Sequence, residues 1–344
     1  MQVYRGFHHP GIARACALTI GNFDGVHRGH QAMLALLVSE AQHRGLPSSV
    51  MTFEPNPRDY FARLLGRPET APARIATLRD KLSELERCGI DQVVVLRFDA
   101  RLAAQSAPAF IEDVLVAGLG ARYVLVGDDF RFGARRAGTY EMLDAAGPAG
   151  GFDVARMNSY EVHGLRVSSS AVRAALAAGD MAAVANLLGR PYSISGHVIR
   201  GRQLGRQLGR SAADRDDGFR TLNLRFPHPR PAAAGIFAVR THGLGPEPLD
   251  GVASLGVRPT VDDSGRVLLE VHCFAWPQHL GPEGGYGKLV RVELLHKLRD
   301  EARYDGLDVL TDAIRKDVDD ARALLKAPSA AHVATGRQTT RDRI

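Results

Sequence analysis

Residues 17–30 read ALTIGNFDGVHRGH, and this stretch decides the fold expected for the first half of the chain. Its first four residues form an apolar strand pattern that runs directly into a turn with glycines at positions 21, 25 and 29. Helical spacing of apolar residues follows over 30–44, and Gly45 predicts the end of that helix. A glycine-rich turn between a strand and a helix favours bound phosphate, because free backbone N–H groups and the helix dipole attract anions.

The same alternation continues along the next hundred residues. Strand patterns occupy 49–53, 92–98 and 122–126, and helical patterns occupy 77–88 and 107–116. Continuous apolar strands separated by helices predict an α/β fold in which helices cover both faces of a parallel sheet. Ligands of such sheets bind beyond the carboxyl ends of the strands, so the polar loops there are the places to look for chemistry.

The pattern changes near residue 185. Two short helices that end in glycine are followed by six short strand patterns separated by turn residues, which is typical of a small antiparallel barrel. A long amphipathic helix completes the pattern, and its apolar stripe consists of Leu310, Ile314, Val318, Ala321 and Leu325. We predict an α/β domain over 1–188, a β-barrel domain with a C-terminal helix over 189–327, and a disordered tail over 328–344.

Composition excludes several classes of protein. Hydrophobic residues make up 45% and charged residues 24% of the chain, which is ordinary for a protein that folds around a core. We expect a cytoplasmic protein without a membrane partner, because the chain lacks an apolar stretch of about 18 residues and a secretory signal. Three widely spaced cysteines exclude a disulfide framework and a CxxC zinc site. No lysine stands in a P-loop setting, so a nucleotide must be held in another way.

A net charge of +6 leaves a nucleic-acid-binding protein as one alternative. We favour no nucleic-acid partner, because 39 of the 44 basic residues are arginines spread along an Ala- and Gly-rich chain. Such a distribution indicates a compositional bias, and no known nucleic-acid-binding module appears.

Two histidines mark the start of the first helix. His27 and His30 lie three residues apart, so both imidazoles can face one ligand and donate hydrogen bonds to phosphate oxygens. Two solvated histidines at a helix start are the alternative. The glycine-rich strand-to-helix turn around them favours the functional interpretation.

The string HRGH at 27–30 matches the HxGH signature of a class of nucleotidyltransferases. Four strings in this half resemble those of one branch of that class, the prokaryotic bifunctional riboflavin kinase/FAD synthetase family. They are GNFDGVHRGHQ at 21–31, FEPNP at 53–57, VGDDFRFG at 126–133 and VSSSAVR at 167–173. The resemblance implies a Rossmann-like FMN adenylyltransferase domain that transfers AMP from ATP to FMN.

The resemblance also implies roles for individual residues of this half. His27, His30 and Arg173 would be catalytic and stabilise charge on the triphosphate. The implied nucleotide-binding residues are Gly21, Asn22, Phe23, Asp24, Gly29, Asp129, Ser168, Ser169 and Ser170. Asp129 would also bind Mg²⁺. The alternative is that Asp129 is an ordinary turn residue. From the residues alone, the serines fit a helix cap, and Arg173 fits either a phosphate contact or a surface position.

Further strings of the same family occur in the second half, among them GHVIRG at 196–201, GFRTLNL at 218–224 and EVH at 270–272. They imply a riboflavin kinase barrel in which Thr221 and Asn223 bind Mg-ATP and Glu270 is the catalytic base. The residues implied to contact phosphate or flavin are Gly201, Gly205, Arg206 and Arg299. The alternatives are a flexible loop over 201–209, a solvated strand glutamate, and a surface ion pair of Arg299 with Glu301 or Asp305.

We therefore predict a bifunctional enzyme that uses Mg²⁺ and acts on riboflavin, FMN and ATP as a monomer or weak homo-oligomer. Three departures from the family strings affect the barrel. Arg220 and Leu222 replace a proline and an alanine, and 210–217 is an insert. An FMN adenylyltransferase with a degenerate, flavin-binding kinase domain is the alternative.

Overall fold

A computed structural model describes residues 1–162, 165–200, 221–257, 267–281 and 284–326. The chain divides into two compact units. Unit 1 contains Met1–Ser195, Phe226–Ala233 and Val257–Val267, and unit 2 contains Gly196–Arg225, Ala234–Gly256 and Leu268–Ile344. The insert over 210–217 and the tail over 328–344 lie outside the described residues, and the domain boundaries inferred from the sequence stay a prediction.

Unit 1 is built on a six-stranded sheet in which all neighbouring strands are parallel. Its strands are β1 (Gln2–Arg5), β2 (Ala17–Ile20), β3 (Ser48–Glu54), β4 (Gln92–Arg97), β5 (Tyr123–Gly127) and β6 (Asp153–Met157). Their spatial order is β1-β4-β3-β2-β5-β6. The chain leaves β2 toward β3 on one side and later returns to β5 on the other side. A crevice therefore opens at the carboxyl ends of β2 and β5.

The described part of unit 1 contains eight helices, of which the first six connect these strands and the last two follow the sheet. They are α1 (Arg28–His43), α2 (Pro57–Leu64), α3 (Leu78–Arg87), α4 (Ala100–Ala104), α5 (Ala107–Ala109), α6 (Tyr140–Gly150), α7 (Ser169–Ala178) and α8 (Met181–Leu188). A π-helical segment, Phe110–Val116, continues α5, so the helix predicted over 107–116 consists of two kinds of helix. Short 3₁₀ turns occupy Pro68–Thr70 and Ala134–Arg136, and β7 (Glu161–Val162) pairs with β8 (Leu165–Arg166).

Apolar side chains fill both faces of the sheet. On one face Val114 and Leu115 pack with Leu18 of β2, and all three are fully buried. On the other face Leu34 of α1 and Leu85 of α3 belong to a second core and are equally buried. This arrangement confirms the predicted parallel sheet with helices on both faces.

The second half of the chain forms a closed six-stranded barrel in the order β10-β13-β12-β11-β14-β9. Its strands are β9 (Tyr192–Ile199), β10 (Leu222–Phe226), β11 (Gly235–His242), β12 (Leu249–Val257), β13 (Val267–Cys273) and β14 (Leu289–Arg299). A 3₁₀ turn, Gln278–Leu280, precedes β14. Helix α9 (Leu307–Lys326) packs Val318 and Ala321 against Ala238 and Val252, and Ile314 and Leu325 pack beside them. Four of the five residues of the predicted apolar stripe therefore belong to this core.

None of the helices in the described ranges combines the length and apolar character needed to cross a bilayer.

Candidate active site

A cavity of about 760 Å³ lies in unit 1, beyond the carboxyl ends of β2, β3 and β5. Three separate segments of the chain contribute the unit 1 residues that the sequence implied to be catalytic or nucleotide-binding, and all of these residues line the cavity. They are Gly21, Asn22, Phe23, Asp24, His27, Gly29, His30, Asp129, Ser168, Ser169, Ser170 and Arg173. The fold therefore gathers these residues at one place, and their individual roles stay a prediction.

Close packing explains two glycines of the 21–30 turn. Gly25 has a φ of +86°, and a Cβ there would lie 2.7 Å from Ile75 Cγ2. A Cβ on Gly29 would meet His27 Nδ1 at 3.2 Å and the carbonyl oxygen of Val167 at 3.3 Å. Larger residues at these two positions would push the turn away from the neighbouring segments.

The two histidines form one stacked pair. Their ring centroids are 3.6 Å apart and their planes differ by 17°. His27 is the N-cap of α1, and its Nδ1 accepts the backbone N–H of His30 at 3.3 Å. His27 has extended backbone angles and precedes the helix, so of the two only His30 lies on the first turn of α1.

Burial makes both imidazoles neutral at pH 7. It lowers the pKa of His27 from 6.5 to about 4, while Asp24 acts in the opposite direction and Arg173 in the same direction. Burial, together with His27 and Lys81, also lowers the pKa of His30 well below its ordinary value. Because His27 Nδ1 accepts a hydrogen bond, the proton of the neutral ring lies on Nε2. A ligand oxygen in the cavity can accept that proton as a hydrogen bond.

We expect acid to destabilise unit 1 through His27. The unfolded chain binds a proton near pH 6.5, whereas the folded ring does so only near pH 4, so stability falls as the pH drops between these values. The loss for this residue amounts to about 3 kcal/mol. Urea unfolding followed by far-ultraviolet circular dichroism across this interval measures it. His27→Asn keeps a capping oxygen but cannot titrate there, and a stability curve parallel to that of the wild type would contradict the prediction.

Arg173 reaches back from α7 to the 21–30 turn. Its Nη2 donates to Asp24 Oδ2 at 2.5 Å, and its Nε donates to the carbonyl of Ala73 at 2.7 Å. Asp24 is 2% exposed and also accepts the backbone N–H groups of Ile75 and Ala76. The alternative of a surface arginine is therefore wrong, since this ion pair joins two segments of the site.

One of the three serines predicted to cap α7 does so, and the other two are the first residues of the helix. Ser168 is the N-cap, and its Oγ accepts the backbone N–H of Ala171 at 3.2 Å. Ser169 Oγ donates to the carbonyl of Asp24 at 3.0 Å. The N-terminal end of α7 thus lies against the 21–30 turn, so the positive ends of α1 and α7 border the same cavity.

The two aspartates after β5 have different surroundings. Asp128 accepts Ser159 Oγ at 2.5 Å, and this bond lowers the pKa of Asp128. The Asp129 side chain is 85% exposed, and its carboxylate lies 3.9 Å from Nη2 of Arg166. In the described ranges no cluster of three or more His, Cys, Asp or Glu side chains is arranged to hold a metal ion. A cation here would therefore need oxygens from a ligand as well as from Asp129.

Two buried cations beside the site were missed by the sequence analysis. Arg74 is 3% exposed, and its Nη2 donates to both carboxylate oxygens of Glu54, at 3.1 and 3.3 Å. Lys81 is 2% exposed and donates to Thr52 Oγ1 at 3.2 Å, and burial lowers its pKa to about 8. A signal for Lys81 existed, because it lies one turn before Leu85 on the apolar side of α3.

Aromatic rings also line the cavity. Phe98 makes edge-to-face contacts with Phe53 at 5.9 Å and Phe61 at 5.7 Å between ring centroids. Phe130 and Phe132 stack at 5.5 Å, and Phe132 is 7% exposed in the core. The cavity therefore offers aromatic surfaces as well as polar groups.

Asn223 and Glu270 occupy different strands of the barrel. Asn223 is 5% exposed on β10, and its Nδ2 lies 3.5 Å from the carbonyl oxygen of Thr221. Glu270 is half-buried on β13, whereas its neighbours Leu269 and Val271 are fully buried. Alternation along the strand therefore turns Glu270 away from the barrel interior, a direction that the sequence left open.

Arg299 has a partner that the sequence did not indicate. Its Nε and Nη2 donate to the two carboxylate oxygens of Asp317 on α9, at 2.8 and 2.6 Å. The predicted alternative of a pair with Glu301 or Asp305 is therefore wrong. Gly201, Gly205 and Arg206 lie outside the described residues.

Comparisons with known proteins find one family model in each half of the chain. A family model for FAD synthetase matches residues 9–171, and one for riboflavin kinase matches residues 188–325. A bifunctional riboflavin kinase/FMN adenylyltransferase from Escherichia coli (strain K12) is 44% identical over 92% of this chain and 96% of its own length. A protein of the same description from Pseudomonas fluorescens is 44% identical over 96% of this chain and 99% of its own length.

One solved structure is similar over almost the whole chain. It is described as a macrolide-efflux protein from Streptococcus pneumoniae, and it is 25% identical with a TM-score of 0.71. The similarity covers 94% of this chain and 99% of that one.

Proposed function

The chain belongs to the family of bifunctional riboflavin kinase/FMN adenylyltransferases, and from this premise we propose how its residues divide the two reactions. It is an enzyme that phosphorylates riboflavin with ATP and transfers AMP from ATP to FMN. We assign adenylyl transfer to the cavity of unit 1 and phosphorylation to the barrel, in a cytoplasmic enzyme. The observation that carries the first assignment is the meeting of the His27–His30 pair with the positive ends of α1 and α7.

The polar groups that line the cavity suit a triphosphate. His27 Nε2–H donates to a phosphate oxygen, and His30 lies stacked beside it. Ser168 and its neighbours place the N-terminus of α7 at the same end, where anions are favoured. Asn22 Oδ1 is buried without a hydrogen-bond partner in the part of the chain described, so it suits a donor group of the bound nucleotide.

The aromatic side chains that line the cavity suit a flavin ring. Phe53, Phe61 and Phe98 present apolar faces and edges against which a flat ring can stack or pack. With the flavin ring against these side chains, the phosphate of FMN would extend toward the histidines, where the triphosphate of ATP would lie. The distribution of polar and aromatic side chains therefore supports FMN and ATP sharing one cavity.

Adenylyl transfer needs positioning and charge stabilisation more than a base. A phosphate oxygen of FMN attacks the α-phosphorus of ATP, a new P–O bond forms, and the bond to pyrophosphate breaks. The oxygen is already ionised at neutral pH, so no proton has to be removed. Negative charge builds up on the leaving pyrophosphate, and the neutral imidazole donors and Arg173 stabilise it.

The residues at both proposed nucleotide sites fit Mg²⁺ bound together with phosphate. Asp129 supplies an exposed carboxylate in unit 1, and Thr221 and Asn223 supply neutral oxygens in unit 2. Such a sparse protein contribution is common for Mg²⁺, which usually keeps water and phosphate oxygens. When bound, the ion would neutralise charge on the phosphate groups.

The barrel residues support the kinase assignment in a similar way. Glu270 faces away from the buried interior, which supports its proposed role as the acceptor of a proton from a hydroxyl of riboflavin. Asn223 lies on β10 beside Thr221, as joint binding of one nucleotide requires. The sequence departures at Arg220 and Leu222 motivate the second candidate, an adenylyltransferase whose barrel only binds flavin.

Incubation with flavin, ATP and Mg²⁺ tests the assignment. We expect FMN to yield FAD and one equivalent of pyrophosphate, and riboflavin to yield FMN and ADP, both reactions stopping when EDTA is added in excess. Separation of the flavins by chromatography measures both steps. FAD formed from FMN but no FMN formed from riboflavin would favour the degenerate barrel. Failure of both reactions would overturn the proposal.

A further inference from the structure

The turn that precedes His27 has an unusual backbone. Phe23 has a φ of +46°, Gly25 of +86° and Val26 of +41°. Side chains other than glycine rarely adopt such angles, and a β-branched valine is among the least tolerant of them. A conformation of this kind persists only where surrounding contacts hold it in place. The contacts that hold this turn therefore also determine the position of His27.

Arg190 makes the most extensive set of contacts to this turn. It follows α8, and its side chain is 18% exposed. Its Nη2 donates to the carbonyl of Gly25 at 2.8 Å, and its Nη1 donates to the carbonyl of Val26 at 3.2 Å. Nη1 also donates to the carbonyl of Leu188 at 3.0 Å. One guanidinium thus holds two consecutive carbonyls of the turn and ties them to the end of α8.

Two further side chains complete this arrangement. Glu84 on α3 lies 3.1 Å from Arg190 Nε and fixes the rotation of the guanidinium. Gln31 on α1 donates from Nε2 to the carbonyls of Val26 and Leu188, at 2.8 and 2.7 Å. Arg190 therefore reaches from the end of α8 to both the turn and α3.

We propose that Arg190 is a positioning residue for adenylyl transfer, which holds the strained carbonyls of Gly25 and Val26 and thereby fixes the place of His27. The proposal rests on the function assigned to the cavity above. Within the described residues Arg190 makes no hydrogen bond to the His27 ring. Apart from lowering the pKa of His27 through its charge, it acts on His27 through the backbone of the turn. A planar fork with several donors can hold two carbonyls at once, whereas an ammonium group is a single point.

Arg190→Met is expected to lower kcat for FAD formation about 100-fold, because small displacements of a catalytic group have effects of this size. KM for ATP and for FMN should change less than about threefold, since the other contacts of the cavity remain. Arg190→Lys should recover only a small part of the loss. Arg87→Met is the matched control, because Arg87 also pairs with Glu84, at 3.3 Å, but is 59% exposed.

A second measurement does not depend on turnover. Nitrogen NMR of the histidine rings reports whether His27 carries its proton on Nε2 alone, as the bond from the His30 amide to Nδ1 requires. In Arg190→Met we expect a mixture of tautomers, and in Arg87→Met the wild-type pattern. If Arg190→Met does not accumulate as folded protein, Arg190→Lys decides the matter by the same two measurements.

The outcomes separate this inference from the proposed function. Wild-type protein that makes no FAD overturns the function assigned to the cavity. Wild-type protein that makes FAD, together with Arg190 variants that keep full kcat and a single His27 tautomer, overturns only the role of Arg190. Loss of kcat with an unchanged tautomer also overturns it, because the effect would then not pass through His27.

Discussion

Glu270→Gln is expected to reduce riboflavin phosphorylation by about 10²- to 10⁴-fold, while conversion of FMN to FAD continues at the wild-type rate. A hydroxyl that attacks the γ-phosphorus of ATP must lose its proton as the new P–O bond forms. A carboxylate can accept that proton, and the amide of glutamine cannot. Glu270 is turned outward on β13 while Leu269 and Val271 fill the barrel, so the substitution changes chemistry without opening the core.

Chromatography of the flavins formed from riboflavin and, separately, from FMN measures this prediction in one protein sample. Glu247→Gln is a suitable control, because Glu247 is exposed in the same unit and the change removes the same charge. FMN formation by Glu270→Gln at a rate close to that of the control would show that Glu270 is not the base. The degenerate-barrel alternative predicts that neither protein forms FMN at all.

Local sequence signals predicted much of the fold because they act over a few residues. Thr77 accepts the N–H of Asp80 and caps α3, and Gly179 and Gly189 end α7 and α8 in the left-handed conformation, as their positions indicated. The edge strands β1 and β6 were missed, since β1 is exposed at three of its four residues and β6 alternates weakly. Edge strands carry fewer buried residues, and their pattern is correspondingly faint.

The resemblance identified residues that face the cavity but not the contacts that hold them in place. Arg173 pairs with Asp24, which is 149 positions away in the sequence, and Arg190 reaches carbonyls 164 and 165 positions away. Such contacts depend on how whole elements pack, and no local spacing encodes them. In the sequence Arg190 is only a residue that follows a predicted helix end. An arginine at such a place has many possible partners on a protein surface, so its role was not predicted. Its burial and its donors to strained carbonyls emerge only from the fold.

Asparagine in place of His27 is expected to lower kcat for FAD synthesis by about 10²- to 10³-fold, the range found when one donor to a developing negative charge is removed. Asparagine is a good N-cap, so it can still accept the N–H of His30 and start α1. The variant lacks the Nε2–H donor that the neutral imidazole presents to the phosphates. Loss of the donor is thereby separated from loss of the helix cap.

Comparison with His27→Ala makes the separation quantitative. Alanine removes both the donor and the cap, so we expect a similar fall in kcat with about 1 kcal/mol of additional destabilisation. His43→Asn is the matched control, because His43 is exposed in the last turn of the same helix and should leave kcat unchanged. Steady-state FAD formation and thermal unfolding of the three variants provide the two measurements. A His27→Asn enzyme with kcat within threefold of wild type would show that the leaving pyrophosphate does not depend on this imidazole. A large fall in His27→Ala alone would instead identify the cap as the contribution of His27, since only alanine removes it.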